Sequence, residues 1–423
     1  MKIFQDLLKR FFKSRLFVGS FIMTLGTGLG GGLNYIYHLL MGRMLGPSDY
    51  GVLASLISLA YILSIPLGTF TLVMVKFVSL LKGKKDFDSI SSLFKVITKK
   101  ILPLSLFAFL VLLLLTPLIT SFLHLSSYIP FIIVLGVFFI GIFSTVNRAF
   151  LQGLLRFGFI SVGSILETFI KLTVAVLLVF LGFKVNGALA GFLLGGIVVY
   201  FFTLSPLRFL FKKNLKKINL KTKDMFRFAL PVFFSTLAFA SLFTIDVILV
   251  RHFLPNQQAG FYAALSTLGK IIFFLSSPVV YVVFPMISER HSNDKNYRNV
   301  FLGSIGLVGG ISFFITAIYF LLPNLMVKLL YGSEYLSIAP YLGFFGVFLS
   351  FYCLSFLMTN FFLSVGRVKA VIFPVVAALL QIILISIFHN NLFQIISISV
   401  FLSAILFVIL LLNLIKCEAK LNL

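Results

Sequence analysis

Apolar stretches long enough to cross a bilayer recur from near Leu16 to near Ile415, separated by short polar interruptions. Stretches of that length read as membrane-spanning helices. Twelve spans are expected, at 16–42, 50–75, 99–121, 128–151, 157–181, 186–208, 226–250, 259–286, 299–322, 337–363, 368–389 and 392–415. The composition agrees: 60% of residues are hydrophobic and 11% charged, more apolar surface than a soluble domain can hide. No loop between spans exceeds roughly 20 residues, too few to build a separate core.

The formal net charge is +24, which in a soluble chain would suggest nucleic acid. Here the basic residues sit in short segments between spans, so no nucleic-acid partner is expected and the charge reports topology. Odd-numbered loops hold Arg43, Lys184, Arg251 and Lys328. Even-numbered loops and both ends hold far more, including Lys9, Arg10, Lys13, Lys82, Lys84, Lys85, Lys95, Lys99, Lys100, Arg290, Lys295, Arg298, Arg367, Lys369, Lys416 and Lys420. The expectation is a multi-pass protein of the cytoplasmic membrane with both termini inside. Ile3, Phe4, Leu7, Leu8, Phe11 and Phe12 recur at helical spacing opposite Lys2, Asp6, Lys9 and Lys13. That pattern predicts a short amphipathic helix on the inner surface rather than a cleavable signal.

The longest interruption is central and carries Lys212, Lys213, Lys216, Lys217, Lys221 and Lys223. Sliding the chain by 209 positions lays Met44–Gly51 on Phe253–Gly260, and sets Ala54, Leu56 and Leu59 on Ala263, Leu265 and Leu268. Two six-span halves of the same orientation follow, related by an axis along the membrane normal. The expected layout is an amphipathic segment 1–15, a bundle 16–208, a basic linker 209–224, a bundle 225–415 and a tail 416–423.

Enzyme motifs are missing. Lys84 lacks the glycine pattern of a phosphate-binding loop, and the run Gly26, Gly28, Gly30, Gly31, Gly32 lies in a span with no preceding strand. Those glycines read as close helix packing or a bendable helix. Cys353 and Cys417 form no framework or metal pattern. His38, His124, His252, His291 and His389 are scattered near span ends. The chain is expected to be no enzyme and to hold no cofactor.

Ionisable residues inside spans are the informative exceptions, because each costs about 2.5–3.5 kcal/mol at a helix centre. Glu167 and Lys171 lie four apart in the fifth span, on one face. They are either a mutually neutralising pair or a polar cavity wall from which an anion frees Lys171. Asp246 in the seventh span has Lys270 in the eighth as its nearest candidate partner. A structural bridge, an ion site at Asp246 and an anion ligand at Lys270 are compatible readings. Lys76 and Arg148, at inner span ends, either snorkel to headgroups or gate an anionic substrate. Asn34, Asn147, Gln152 and Gln381 are uncharged polar residues that line a cavity or bridge helices.

Several short stretches carry a family resemblance. Leu45-Gly46-Pro47-Ser48-Asp49-Tyr50-Gly51 has the form LGPxxYG after the first span, and Lys76-Phe77-Val78-Ser79 ends the second. Gln152-Gly153 closes the fourth, Gly260-Phe261-Tyr262-Ala263-Ala264 opens the eighth after Asp246, and Phe284-Pro285-Met286-Ile287-Ser288 ends it. In order and spacing, over roughly residues 15–415, these resemble the polysaccharide-biosynthesis branch of the multidrug/oligosaccharidyl-lipid/polysaccharide exporter superfamily, the O-antigen flippase group. Leu254-Pro255-Asn256 departs from the Gly-Pro turn.

The resemblance implies an all-α protein with two pseudo-symmetric six-helix bundles around a central cavity, as in multidrug exporters. It implies alternating-access export of a polyprenyl-diphosphate-linked oligosaccharide, driven by Na+ or H+ with Asp246 as the candidate coupling residue. The polar residues singled out above, Lys270, Lys171, Glu167, Lys76, Arg148, Asn34 and Gln152, are the candidates to line that cavity. The partners implied are the lipid-linked glycan, membrane lipids, glycosyltransferases and a polysaccharide polymerase, with the chain working as a monomer. The alternatives are a multidrug/cation antiporter, whose cavity should be acidic and aromatic, and an uncoupled lipid scramblase.

Overall fold

The structure, a computed structural model, describes residues 15–211, 222–292 and 296–421. The amphipathic stretch Ile3–Phe12, the lysines Lys212–Lys221 of the linker and the side chains of the tail 416–423 lie outside the described residues.

The described residues are helical almost throughout. In order, the helices are α1 (Arg15–Gly83), α2 (Phe87–Leu114), α3 (Thr116–Phe122), α4 (Ile129–Gly153), α5 (Phe157–Leu178), α6 (Lys184–Leu204), α7 (Thr222–Phe253), α8 (Asn256–Ser292), α9 (Arg298–Leu321), α10 (Pro323–Leu330), α11 (Ala339–Ser364), α12 (Ile372–Ile387) and α13 (Leu392–Leu421). Among the described residues, ten segments are long and apolar enough to span a membrane, and two of them are double-length: Gly28–Gly83 with 56 residues and Phe157–Phe211 with 55. A straight helix of that length would run about 80 Å, far beyond a bilayer. Each is broken within its length. In α1 the break is Gly46, at φ 69° and ψ 174°. Between α5 and α6 it is the π turn Val179–Phe183, where Gly182 takes φ 91°. Counting each double segment as two spans gives the expected twelve.

The sequence predicts a loop at 43–49, and the structure instead carries helix on both sides of a one-residue kink. The reason is local. Gly46 takes a left-handed conformation at no steric cost, and Pro47 then occupies the first position of the next helix, where its missing N–H goes unneeded.

Helix packing divides the chain into two compact units. The first holds residues up to Met44 and Leu63–Ala229; the second holds Leu45–Ile62 and the chain from Leu230 onward. One boundary between the units, at Ala229/Leu230, falls just after the basic linker, and Leu45–Ile62, the first part of the expected second span, belongs to the second unit.

Basic side chains tie together the charged-loop end of the first unit. Lys82 donates to the Leu154 carbonyl at 2.6 Å, and Arg156 donates to the Pro206 carbonyl at 2.5 Å. Leu154 caps the C-terminus of α4, where carbonyls lack an intrahelical donor, and Pro206 lies just past the end of α6. Asp86 opens α2 by accepting from the Ser89 amide at 3.1 Å. Val78, Leu93, Phe94, Phe150 and Leu207 form a closed core beneath them. In the second unit α11 is the buried centre, packed by α8, α9 and α13.

Candidate functional site

The polar centre of the first unit is built on a glycine stripe. Gly187, Gly191 and Gly195 recur every four residues along α6 and bring it against α5. A Cβ on Gly191 would lie 2.5 Å from the Lys171 carbonyl, and one on Gly195 would lie 2.8 Å from that of Glu167. The close approach fixes the backbone beneath the two charged side chains.

Those side chains do not pair with each other. Arg148 of α4 donates to Glu167, an ion pair whose members remain 34% and 39% exposed. Lys171, 6% exposed, donates to the Asn34 carbonyl oxygen on α1. Its ammonium also sits 4.5 Å from the Phe192 ring centre and 5.0 Å from that of Tyr37. The Tyr37 hydroxyl is anchored on the Ala188 carbonyl at 3.1 Å. Sequence spacing favoured the i,i+4 pair, but Arg148 from a neighbouring helix reaches Glu167 and forms a charge-assisted bond there. The result is two polar knots, one half-exposed and one buried, tying α1, α4, α5 and α6 together.

The second unit holds Asp246, fully buried on α7. It accepts from the Tyr262 hydroxyl at 2.7 Å and from the Val247 amide at 2.9 Å. Tyr262 also interacts with Ser399, which accepts from the Gln381 amide at 3.2 Å. The Gln381 carbonyl oxygen is buried without a partner. No ion pair forms between Asp246 and Lys270, which act on each other only electrostatically. The Lys270 ammonium instead lies 4.5 Å from the centre of the Phe243 ring. Phe243 belongs to an aromatic cluster with Phe273 at 4.8 Å and Tyr352 at 5.4 Å. The expected direct bridge is thus replaced by Tyr262 on the carboxylate and an aromatic face beneath the ammonium.

The remaining sequence candidates separate. Lys76 is exposed on α1, and Gln152 is half-buried near the end of α4. Gly153 beside it serves packing, since a Cβ there would lie 2.5 Å from that of Val78. Asn147 bridges helices, donating to the Tyr200 carbonyl at 3.2 Å. The Gly26–Gly32 run packs on α5 through Gly26 and Gly30, against Ser161 and Ser164.

The LGPxxYG stretch is structural as well. A Cβ on Gly51 would lie 2.7 Å from the Gly260 amide nitrogen, and one on Gly260 only 1.7 Å from the Pro47 carbonyl oxygen. Gly51 and Gly260 are equivalent under the 209-residue shift, so the two repeats cross at matching positions. Tyr50, fully buried, meets the hydroxyls of Thr267 at 2.9 Å and Tyr331 at 3.0 Å.

Sequence reasoning passed over Tyr37, Phe192, Ser399 and the Gly187/Gly191/Gly195 stripe, and gave Tyr262 no role. The stripe carries a readable signal in its every-fourth-residue spacing. The aromatic and hydroxyl partners carry none, because they are common residues brought in from other helices.

Comparisons with known proteins agree with this fold. The family model described as polysaccharide biosynthesis protein matches residues 40–340. An uncharacterized membrane protein of Methanocaldococcus jannaschii is 28% identical over 309 residues, covering 67% of this chain and 71% of that protein. The inward-facing structure of a multidrug resistance transporter of the MATE family, in the MOP superfamily, superposes with a TM-score of 0.70 at 16% identity, covering 90% of this chain and 95% of that one. The lipid II flippase MurJ, in an inward closed conformation, gives 0.70 at 16% identity, covering 94% and 87%. These similarities establish a shared transporter fold.

Proposed function

This chain belongs to the polysaccharide biosynthesis protein family, and on that premise we propose that it is a flippase carrying a polyprenyl-diphosphate-linked oligosaccharide across the cytoplasmic membrane by ion-coupled alternating access. The observation that carries this reading is the Arg148–Glu167 pair, a cation held ready by a carboxylate with both side chains partly exposed. In the empty state Glu167 neutralises Arg148. An arriving diphosphate has more charge and more acceptor oxygens, so it displaces Glu167 and takes the guanidinium bidentately. Lys171, on the same helix face as Glu167, supplies a second cation when it leaves Asn34. In a low-dielectric site each such contact outweighs its counterpart in water.

Asp246 is the proposed coupling residue for H+ or Na+. It is buried, carries its own donor in Tyr262, and senses Lys270 without pairing to it. Loading it with a cation would change the field at Lys270, joining ion movement to substrate movement. Glycosyltransferases and a polymerase would act on either side of the transfer.

Translocation of lipid-linked glycan from the outer to the lumenal leaflet of inside-out vesicles tests the reading. Lys270→Ala and Arg148→Ala should each abolish export while the protein remains folded in the membrane. Normal surface glycan in cells relying on either variant would sink it. A cationic-drug antiporter would need a free acidic group in its cavity, whereas Glu167 is engaged by Arg148. Dye efflux that depends on Glu167 would favour that alternative.

A further inference from the structure

A groove of about 360 Å³ runs between the first turns of α7 and the elbow that leads into α12. Leu230, Pro231 and Phe234 form one wall, and Val371, Ile372 and Val375 the other, with Lys369 at the rim. The elbow is shaped by Gly366, at φ 76°, and by the short 3-10 turn Val368–Val371. Leu230 and Ile372 are 56% and 60% exposed, so the groove is open at the surface of the second unit. By the loop charges, this is the basic end of the molecule, at the depth of the inner headgroups.

We propose that this groove is a site for an anionic glycerophospholipid of the inner leaflet, one acyl chain lying between α7 and α12 and the phosphate against Lys369. Its shape and charge are complementary to that lipid. The walls offer only hydrocarbon contacts, which a chain satisfies and water or a sugar does not. The lysine stands where the chain would meet its headgroup, and a long cationic side chain reaches toward headgroup phosphate. The site also bears on the helix that carries Asp246. Pro231 lacks a backbone N–H, so α7 misses one helical hydrogen bond and bends most readily beside the groove. A seated chain would brace that bend. The inference stands independently of the transported substrate.

The chain contains no tryptophan, so Phe234→Trp creates a lone fluorescent reporter inside the groove. The variant is reconstituted in phosphatidylcholine vesicles containing either brominated phosphatidylglycerol or brominated phosphatidylcholine. Phosphatidylglycerol should quench at about fivefold lower mole fraction, the preference expected of one interfacial lysine. Lys369→Gln should remove that preference. Ile372→Trp, on the facing wall, repeats the measurement should Phe234→Trp fail to fold. Phe313→Trp, 77% exposed on α9, is the control and should show no preference. Equal quenching by both lipids, or the same preference at Phe313→Trp, would overturn the site. Relief of quenching by unlabelled polyprenyl phosphate at concentrations where unlabelled phosphatidylglycerol gives none would overturn the assignment of a phospholipid.

Discussion

At the scale of single residues, the charged groups were visible in the sequence but their partners were not. Glu167, Lys171, Asp246 and Lys270 stand out because a charge in hydrocarbon needs a reason. Which group answers each charge depends on helix rotation and crossing, and residue spacing along one helix does not contain that information. Arg148 therefore takes Glu167 from Lys171, and Tyr262 reaches Asp246 where Lys270 does not. A charge swap separates structure from transport. If Arg148 serves only to neutralise Glu167, the double variant Arg148→Glu with Glu167→Arg should restore the export lost in either single variant. A substrate ligand should not be restored, because the guanidinium then projects from the wrong helix. We expect the swapped protein to accumulate in the membrane at normal levels with export still reduced at least tenfold. Near-normal export would reduce Arg148 to a structural role. At the other centre, Tyr262→Phe removes the hydroxyl donor and leaves a buried carboxylate short of a partner. A hydrogen bond to a charged group contributes about 1.5–3 kcal/mol. The variant should therefore melt at a lower temperature than the parent, and Tyr262→Phe combined with Asp246→Asn should recover part of that loss. Asp246→Asn alone should make transport in reconstituted vesicles insensitive to the ion gradient, and unchanged ion dependence would remove Asp246 from the mechanism.

Elements were more legible than pairings, because a span needs only length and apolar content. All the spans read from the sequence have helical counterparts, and the main surprise lies at a turn. Leu45–Gly51 was recognisable as a motif, yet its work is packing in the second unit rather than loop formation. The crossing of Leu45–Ile62 with α8 depends on two residues without side chains, Gly51 and Gly260, and on the sealed hydroxyl cluster of Tyr50, Thr267 and Tyr331. Gly260→Ala should be the more damaging of the two alanine substitutions, since its methyl would meet a backbone carbonyl oxygen that cannot rotate away. Overpacking of this kind costs about 1–3 kcal/mol or more. Thermal unfolding in detergent should show Gly260→Ala clearly destabilised. Gly28→Ala, where the added methyl meets open space, should unfold like the parent. Equal melting temperatures for all three proteins would mean that the crossing is loose. The glycine at 46 adds a conformational demand instead, and Gly46→Ala should cost about 1 kcal/mol through its positive φ.

For the molecule as a whole, the loops determine which way the bundle faces. Lys82, Lys84 and Lys85 follow one span, and the turn 123–128 that follows the next two helical pieces carries no lysine or arginine. Translocating a cluster of lysines is opposed during insertion, so the cluster is expected inside and the neutral turn outside. That asymmetry repeats along the chain, so the expected orientation sums over many loops, whereas a charge partner rests on one contact. It also has a direct measurement. Cys353 is buried at 1% exposure and should not react with a large thiol reagent in the folded protein. With Cys417 replaced by serine, a cysteine placed at exposed Ser127 should be labelled on intact cells by a membrane-impermeant maleimide. A cysteine at exposed Lys85 should be labelled only after the membrane is opened. The reverse pattern would place the basic loops outside, and would move the proposed lipid groove and the entry side for an anionic substrate to the opposite leaflet. Labelling of both positions on intact cells would mean a mixed insertion and would overturn the single orientation, because each cation of the Lys82–Lys85 cluster should hold that loop on the cytoplasmic side.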